Sequence, residues 1–410
     1  MTQREALIID GVRSPRGRGK PDGGLHQVHP QQGLAQVLNH LQARVGFDTR
    51  DVEDVIMGCA SQVGDHSMDI ARMAVLDAGW PISAPGVTLN RFCGSGQQAV
   101  TYAAMGILAG HQEVVIGGGV EWMSRRAPIH VDGFSANNPH LHAQHPQVPQ
   151  GISADLIATI EGFSREDCDA YALESQRRAA AAIADGRFAR SVMPINKDDG
   201  SLALDHDEHP RPGTTMEDLA RLKPAFLAMG AHVEEGKSKS YDDYCRQVYP
   251  DVAAVDHVHH GGNSSGVVDG ASALLLTSSD YAKAHGLKAR ARIVMSATAG
   301  TEPVIMLTAP APAAKLCLKK AGMTPADIDL WEVNEAFASV VLKFLKELDV
   351  PRDRFNVNGG AIALGHPIGA TGGMLIQTVL DELERQDKST ALIAMCTGGG
   401  MGTATIIERV

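Results

Sequence analysis

Short apolar runs at residues 6–9, 55–57 and 114–116, and again at 273–276, 292–295, 330–333 and 391–395, alternate along the chain with longer segments of helical character. Runs of this length, bounded by glycine and polar residues, are the pattern of buried strands, and their alternation with helices predicts βαβ units and an α/β fold. The two halves echo each other. In the first, a strand, a glycine turn, a helix and a second strand end at a GGG triplet, residues 117–119; in the second, FNVNGG, GHPIGATGG, a helix and ALIAMC end at another, residues 398–400. An internal duplication accounts for this echo.

Between about 121 and 258 the alternation breaks into text rich in Pro, His, Asn and charge, such as HVDGFSANNPHLHAQHPQVPQ and LDHDEHPRPGTTMEDLARLKP. Within it, Ser164 followed three residues later by Asp167 reads as a capping box opening a helix that runs towards Gly186. The excursion is therefore expected to be a folded insertion lying over the core.

Composition narrows the function classes. A chain of 410 residues with 44% hydrophobic content suffices for two or three domains. Its net charge of -11 argues against non-specific nucleic-acid binding, which needs a basic surface. The N-terminal MTQREALIID reads as a first strand and not a signal peptide, and no window approaches the roughly 20 apolar residues of a membrane helix, so the expected location is cytoplasmic. Cysteines at 59, 93, 168, 245, 317 and 396 form no CxxC pair, which argues against a zinc site or a disulfide scaffold and for reduced thiols.

Candidate chemistry gathers at three glycine-punctuated places and in the stretch WEVNEAFASVV. In LNRFCGSGQQAV, residues 87–90 read as the end of a buried strand and Gln97 onwards as a helix, so Cys93 falls at the turn between them. Unpaired N–H groups and the helix dipole there favour the thiolate, the nucleophilic form. The plainer reading is a small buried hydrophobe. Cys396 ends a strand and precedes GGGMG, where free N–H groups can bind an oxyanion, or where the glycines simply make a tight turn. His366, between Gly365 and Pro367, can serve as a general base or be an ordinary loop histidine. Asn334 in WEVNEAFASVV reads as an N-cap by default, and otherwise as an amide that stabilises developing negative charge.

Two further patterns are decoys. GNSSG, residues 262–266, fits GxSxG, yet HVHHG precedes it where a nucleophile elbow on Ser264 would need an apolar strand. His257, His259 and His260, or His206 with Asp207 and His209, lack a recognised metal-ligand spacing and read as solvated loop histidines; no metal is expected.

CGSG around Cys93, NEAF from Asn334, GHPIGATG around His366 and CTGGGMG from Cys396, in that order, resemble the motifs of the thiolase family. The similarity extends over essentially the whole chain, including IIDGVRSPRG, DHDEHPRPGTT and GGNSSGVVDGAS. The resemblance implies a five-layered αβαβα fold of two similar core domains with an inserted loop domain: residues 1–120 and 259–280 for the first core, 121–258 for the insertion and 281–410 for the second core. It implies acetyl-CoA C-acyltransferase activity. Cys93 would attack a 3-ketoacyl-CoA, His366 would take its proton, and Cys396 would act as acid and base. Asn334 through a water, with His366, would hold the enolate oxygen, and the N–H groups of Cys93 and Gly398 the tetrahedral oxyanion. Arg211 would lie near the nucleotide end of CoA and Ser265, Ala336 and Phe337 along its pantetheine, with CoA a co-substrate and no other cofactor.

Family members are dimers or tetramers, so a homo-oligomer is expected. One departure stands out: an extra segment, 231–260, precedes GGNSSG, and with DLIATIEGFSREDCDAYALESQ it looks more like the thiolase subunit of bacterial fatty-acid oxidation complexes. This favours β-oxidation, with a possible hydratase/dehydrogenase partner subunit, over biosynthetic acetoacetyl-CoA formation. Condensing enzymes of the ketoacyl synthase type lack a counterpart of Cys396. A serine hydrolase using Ser264 would need the missing elbow, and a CoA-binding scaffold would have no use for two thiols and GHP together.

Overall fold

A computed structural model describes residues 4–125 and 138–410; the remainder of the 121–258 segment, at 126–137, lies outside the described residues. The strands are β1 (Ala6–Arg13), β2 (Gly17–Arg18), β3 (Asp54–Gly58), β4 (Val87–Leu89), β5 (Val114–Trp122), β6 (Ile195–Asn196), β7 (Leu202–Leu204), β8 (Val268–Ser278), β9 (Ala291–Gly300), β10 (Leu330–Val333), β11 (Thr390–Thr397) and β12 (Met401–Arg409). Each of the seven sequence-assigned runs lies within one of them. Every residue of β1, β5 and β8 is buried, as expected of strands covered by helices on both faces.

Topology makes the duplication explicit. The main sheet runs β10-β11-β12-β9-β1-β8-β5-β3-β4, with β2 paired to β8. In the first half β3 and β5 are parallel, and β5–β8 and β8–β1 antiparallel. The second repeats this with β10 and β11 parallel, and β11–β12 and β12–β9 antiparallel. Within the sheet, among the described residues, the halves pair at two positions, Leu7↔Arg292 and Ile8↔Ala291.

Three apolar clusters set the layers. Helices Pro30–Val45 and Ile70–Asp77 cover the outer face of the first half, and Pro310–Ala321 and Ala338–Leu348 that of the second. Between the halves lie Ser95–Leu108 and Thr371–Arg385. The result is helix, sheet, helix, sheet, helix. The central helices touch backbone to backbone, because a Cβ on Gly372 would stand 2.1 Å from the amide nitrogen of Gln97. Among the described residues, no helix is long and apolar enough to cross a membrane.

Between β5 and β8 lie the two-stranded β6–β7 sheet and several helices. Ser164 and Asp167 form the expected capping box of helix Arg165–Ala184, and Gly186 turns the chain with φ +67°. Two expectations change. Residues 87–89 form an edge strand that is exposed or half-buried, because among the described residues no further strand pairs beyond it. Strand β12 is absent from the sequence assignment, although GTATIIER puts a β-branched or apolar residue at most of its positions.

Candidate active site

Cys93 sits in a tight turn between β4 and helix Ser95–Leu108. Phe92 is left-handed, with φ +48°. The Ser95 hydroxyl locks the turn by accepting from Arg91 N–H at 2.9 Å and donating to Phe92 O at 2.6 Å. Behind it, a Cβ on Gly94 would lie 2.8 Å from Thr397 Cγ2, so the turn abuts the end of β11 one residue beyond Cys396. The thiol of Cys93 is approached by Gln150 Nε2 at 4.0 Å and by the N–H groups of Cys93 itself and of Gly398. The pair of amides named from the sequence thus converges on one sulfur.

The resting thiol departs from the thiolate expectation. Burial pushes Cys93 up to about 11, and the bonds from Gln150 and the two amides only partly oppose it. A helix terminus contributes roughly 0.3–2 kcal/mol to an adjacent anion. Removing an unpaired charge from water costs several kcal/mol, so burial wins. Cys396, fully buried on β11, is raised well above its ordinary value by burial and by the neighbouring Cys93. Both sulfurs are neutral at pH 7. Iodoacetamide alkylation of Cys93 in the free protein should therefore accelerate from pH 7 to 10; a rate already at its plateau by pH 7 would restore the thiolate.

His366 lies in the loop entering helix Thr371–Arg385, its N–H donating to Gly266 O at 2.8 Å. Thr371 Oγ1 donates to Pro367 O at 2.8 Å and stands 2.6 Å from His366 Nδ1, so it accepts from Nδ1–H. That leaves the lone pair on Nε2, which faces Asn334 Nδ2 at 3.4 Å. Burial and then the Arg16 guanidinium push the imidazole down to about 3, far below the value of a free histidine. The ring is a neutral base whose acceptor nitrogen is fixed.

Asn334 is not an N-cap. Phe337 takes that place, because helix Ala338–Leu348 begins four residues later. Instead Asn334 extends β10 along β11, donating its N–H to Ala394 O at 3.0 Å, and its side chain is fully buried with Oδ1 unpartnered among the described residues. The following Glu335, missed from sequence, anchors the loop by accepting from Tyr171, Ser175, Asn356 and the Ile362 amide. A second hub, Glu121 on β5, accepts from the N–H groups of Ala60, Ser61 and Gly369, tying the His366 loop to the first half.

The GNSSG segment threads between these loops. Ser265 N–H donates to Ala336 O at 2.9 Å, Gly266 N–H to Ala361 O at 3.2 Å, and Ser264 bridges Phe337. Ser265, Ala336 and Phe337 are thereby brought together beside His366. Arg211 stands apart on an exposed loop, its N–H on Gln176 Oε1, and its charge acts on half-buried His209. Ser264 Oγ is buried and has no hydrogen-bond partner among the described residues, so none of them is placed to activate it.

The remaining histidines correct an expectation of solvated loops. His257 and His259 share Asp155 at 2.7 Å each, His257 also reaches Asp242, and His260 bonds Asp169 at 2.8 Å; all three rings are buried. They fasten the extra segment to the helix Gln150–Glu161 and to Arg165–Ala184. His206 is exposed beside Asp205, whereas Asp207 is paired with Arg13. Among the described residues, no group of three or more His, Cys, Asp or Glu is arranged to hold a metal ion.

Residues 6–240 match the thiolase N-terminal domain and residues 287–409 the thiolase C-terminal domain. The chain is 41% identical to a 3-oxoadipyl-CoA/3-oxo-5,6-dehydrosuberyl-CoA thiolase of Escherichia coli, over 99% of this chain and 100% of that protein. It is 39% identical to a 3-ketoacyl-CoA thiolase of Psychrobacter cryohalolentis, over 100% and 99%. The crystal structure of the Bacillus anthracis acetyl-CoA acetyltransferase superposes with a TM-score of 0.84 at 34% identity, over 100% of this chain and 99% of that one. With matching domains over most of its length and relatives of this similarity end to end, the chain belongs to the thiolase family and is an acyltransferase.

Proposed function

We propose that this thiolase works in the degradative direction, cleaving 3-ketoacyl-CoA with CoA into acetyl-CoA and a shortened acyl-CoA. The observation that carries this reading is the meeting of two buried thiols, Cys93 and Cys396, with the Gly398 amide on the first. Cys93 Sγ attacks the 3-keto carbon as its proton passes to His366 Nε2. The C2–C3 bond then breaks, its electron pair becoming the acetyl-CoA enolate, which takes a proton from Cys396. Cys396 thiolate next removes the proton of incoming CoA, whose sulfur attacks the acyl-Cys93 thioester and expels Cys93, to be reprotonated by His366. Because both thiols are neutral at rest, each proton moves as its bond forms.

The Cys93 and Gly398 amides hold the tetrahedral oxyanion, and Asn334 through a water, with His366, the enolate oxygen. Arg211 reaches the phosphate-bearing end of CoA, and Ser265, Ala336 and Phe337 line its pantetheine. CoA is the co-substrate, with no other cofactor. Asn334→Ala should fold normally and lose about 3 kcal/mol of transition-state stabilisation, roughly a hundredfold in kcat. A kcat within threefold of wild type would remove Asn334 from the mechanism.

The extra segment 231–260 supports a place in fatty-acid β-oxidation, beside a hydratase/dehydrogenase subunit. The names of relatives such as the Escherichia coli protein support a second reading, an acyl chain ending in a carboxylate. Assembly as a homodimer or homotetramer is supported by Met68 and Ile82, each 84% exposed in the segment leading to the open edge strand β4. Thiolysis of 3-ketoacyl-CoA substrates of four to sixteen carbons, run beside 3-oxoadipyl-CoA, tests the proposal. Turnover rising with chain length supports β-oxidation, a preference for 3-oxoadipyl-CoA the second reading, and no cleavage of any sinks both.

A further inference from the structure

The nucleophile helix carries a polar side chain that its setting does not ask for. Gln97, four residues after Cys93, is fully buried on helix Ser95–Leu108, whose Ala99 and Val100 belong with Leu375, Ile376 and Met395 to the apolar cluster of the central layer. An apolar residue would satisfy such a place. Instead every bond of its side-chain amide crosses to the second half: Nε2 donates to Ile393 O at 3.0 Å and Thr405 Oγ1 at 2.9 Å, and Oε1 accepts from Thr403 Oγ1 at 2.6 Å. Ile393 is three residues before Cys396 on β11, and Thr403 on β12 pairs with Met395, the residue before Cys396. At its backbone, Gln97 touches Gly372 on the helix that follows His366. One residue therefore joins the segments that carry Cys93, Cys396 and His366.

We propose that Gln97 is a positioning residue that fixes the separation of Cys93 and Cys396. This inference rests on the two-thiol reading above and deepens it. The two cysteines belong to halves joined in the sheet by only two residue pairs, so their spacing is not set by strand hydrogen bonding alone. A fully satisfied buried amide admits one arrangement of its partners, where apolar packing tolerates several. Proton delivery to the enolate from Cys396 requires that spacing to hold within a fraction of an ångström, and misplacements of about 1 Å cost on the order of a hundredfold.

The test uses Gln97→Met, matched in length and without hydrogen bonds, and Thr403→Val, which removes one partner with little change of volume. Three quantities are measured on each folded protein: steady-state thiolysis of acetoacetyl-CoA, the rate of single alkylation of Cys93 by iodoacetamide, and the rate at which dibromobimane bridges Cys93 to Cys396, mapped by peptide mass. We expect kcat to fall about ten- to a hundredfold in Gln97→Met and less in Thr403→Val, with KM for CoA within about threefold. Alkylation should stay within twofold while bridging slows at least fivefold. Unchanged bridging, unchanged kcat, or alkylation falling in step with kcat overturns the inference, the last because the effect would then lie in the Cys93 turn itself. Wild type that bridges normally but cleaves no 3-ketoacyl-CoA would instead sink the thiolytic reading, and the bridging rates of the variants would still decide the role of Gln97.

Discussion

Cys93→Ala should fold as wild type and lose CoA-dependent thiolysis by about 10⁴-fold or more, as when the nucleophile of a covalent mechanism is removed. The substitution deletes one sulfur from a well-packed turn, a loss of about 1 kcal/mol for a group of methylene size. The turn itself is held by Ser95 and the Phe92 backbone, which the change leaves in place. Catalysis has no substitute for the lost atom. Cys396 is raised well above its ordinary range beside Cys93, and Ser264 has no hydrogen-bonded base among the described residues. Cys93→Ser separates the roles further: it keeps a hydroxyl within reach of the Gly398 amide but offers a harder nucleophile and a poorer leaving group. Initial rates on acetoacetyl-CoA, with melting temperature as the folding control, settle the matter. Residual activity above one-hundredth of wild type would mean that another group carries the acyl chain.

The neutral resting state of the site was the part least legible in the sequence. The turn at Cys93 is a local feature, written in a strand end, glycines and a helix start within a dozen residues. The charge on its sulfur is not local. It depends on burial and on groups distant along the chain: Gln150 on the helix Gln150–Glu161, Glu121 on β5 and the Gly398 amide just after β11. The same holds for Asn334, where N-cap propensity pointed to a helix start and the chain instead continues as an extended loop, pinned through Glu335 by side chains up to 164 residues away. His257, His259 and His260 look like solvated loop residues until Asp155 and Asp169 meet them from helices about a hundred residues earlier. The periodic signals, by contrast, located the central strands, and the repeated glycine turns announced a duplication that the mirrored strand order displays.

Gln97, Glu121 and Glu335 share one reason for being missed. A buried polar residue inside an apolar run reads as an exception to periodicity, and its meaning lies in partners that the run does not contain. Gln97 bonds residues 296 to 308 positions away. The available signal was the exception itself: a glutamine on the inward face of QQAVTYAAMGIL, where the pattern calls for an apolar side chain, is stable only if something hydrogen-bonds to it.

Cys396→Ala carries the second large effect, a fall in kcat of about 10³-fold with KM for CoA within about threefold. The reasoning turns on which form of Cys396 the site holds. Burial and the adjacent Cys93 keep its thiol protonated, and two thiolates side by side would repel, so one sulfur gives up its proton only while the other is in covalent or neutral form. A thiol with a raised pKa is a matched donor to a weakly acidic carbon acid, since proton transfer is most effective when donor and acceptor affinities approach each other. Losing it should slow two steps, protonation of the enolate and deprotonation of incoming CoA, while the attack of Cys93 on the 3-keto carbon keeps both its nucleophile and its base, His366. Two partial reactions separate these. Deuterium exchange at C2 of acetyl-CoA in heavy water should vanish with kcat in Cys396→Ala, whereas acylation of Cys93 by acetyl-CoA, followed as a mass increase on its peptide, should slow, because the departing CoA thiolate loses its proton donor, but still go to completion. Exchange retained above one-tenth of wild type would assign the enolate proton to His366 alone and leave Cys396 as packing against Cys93.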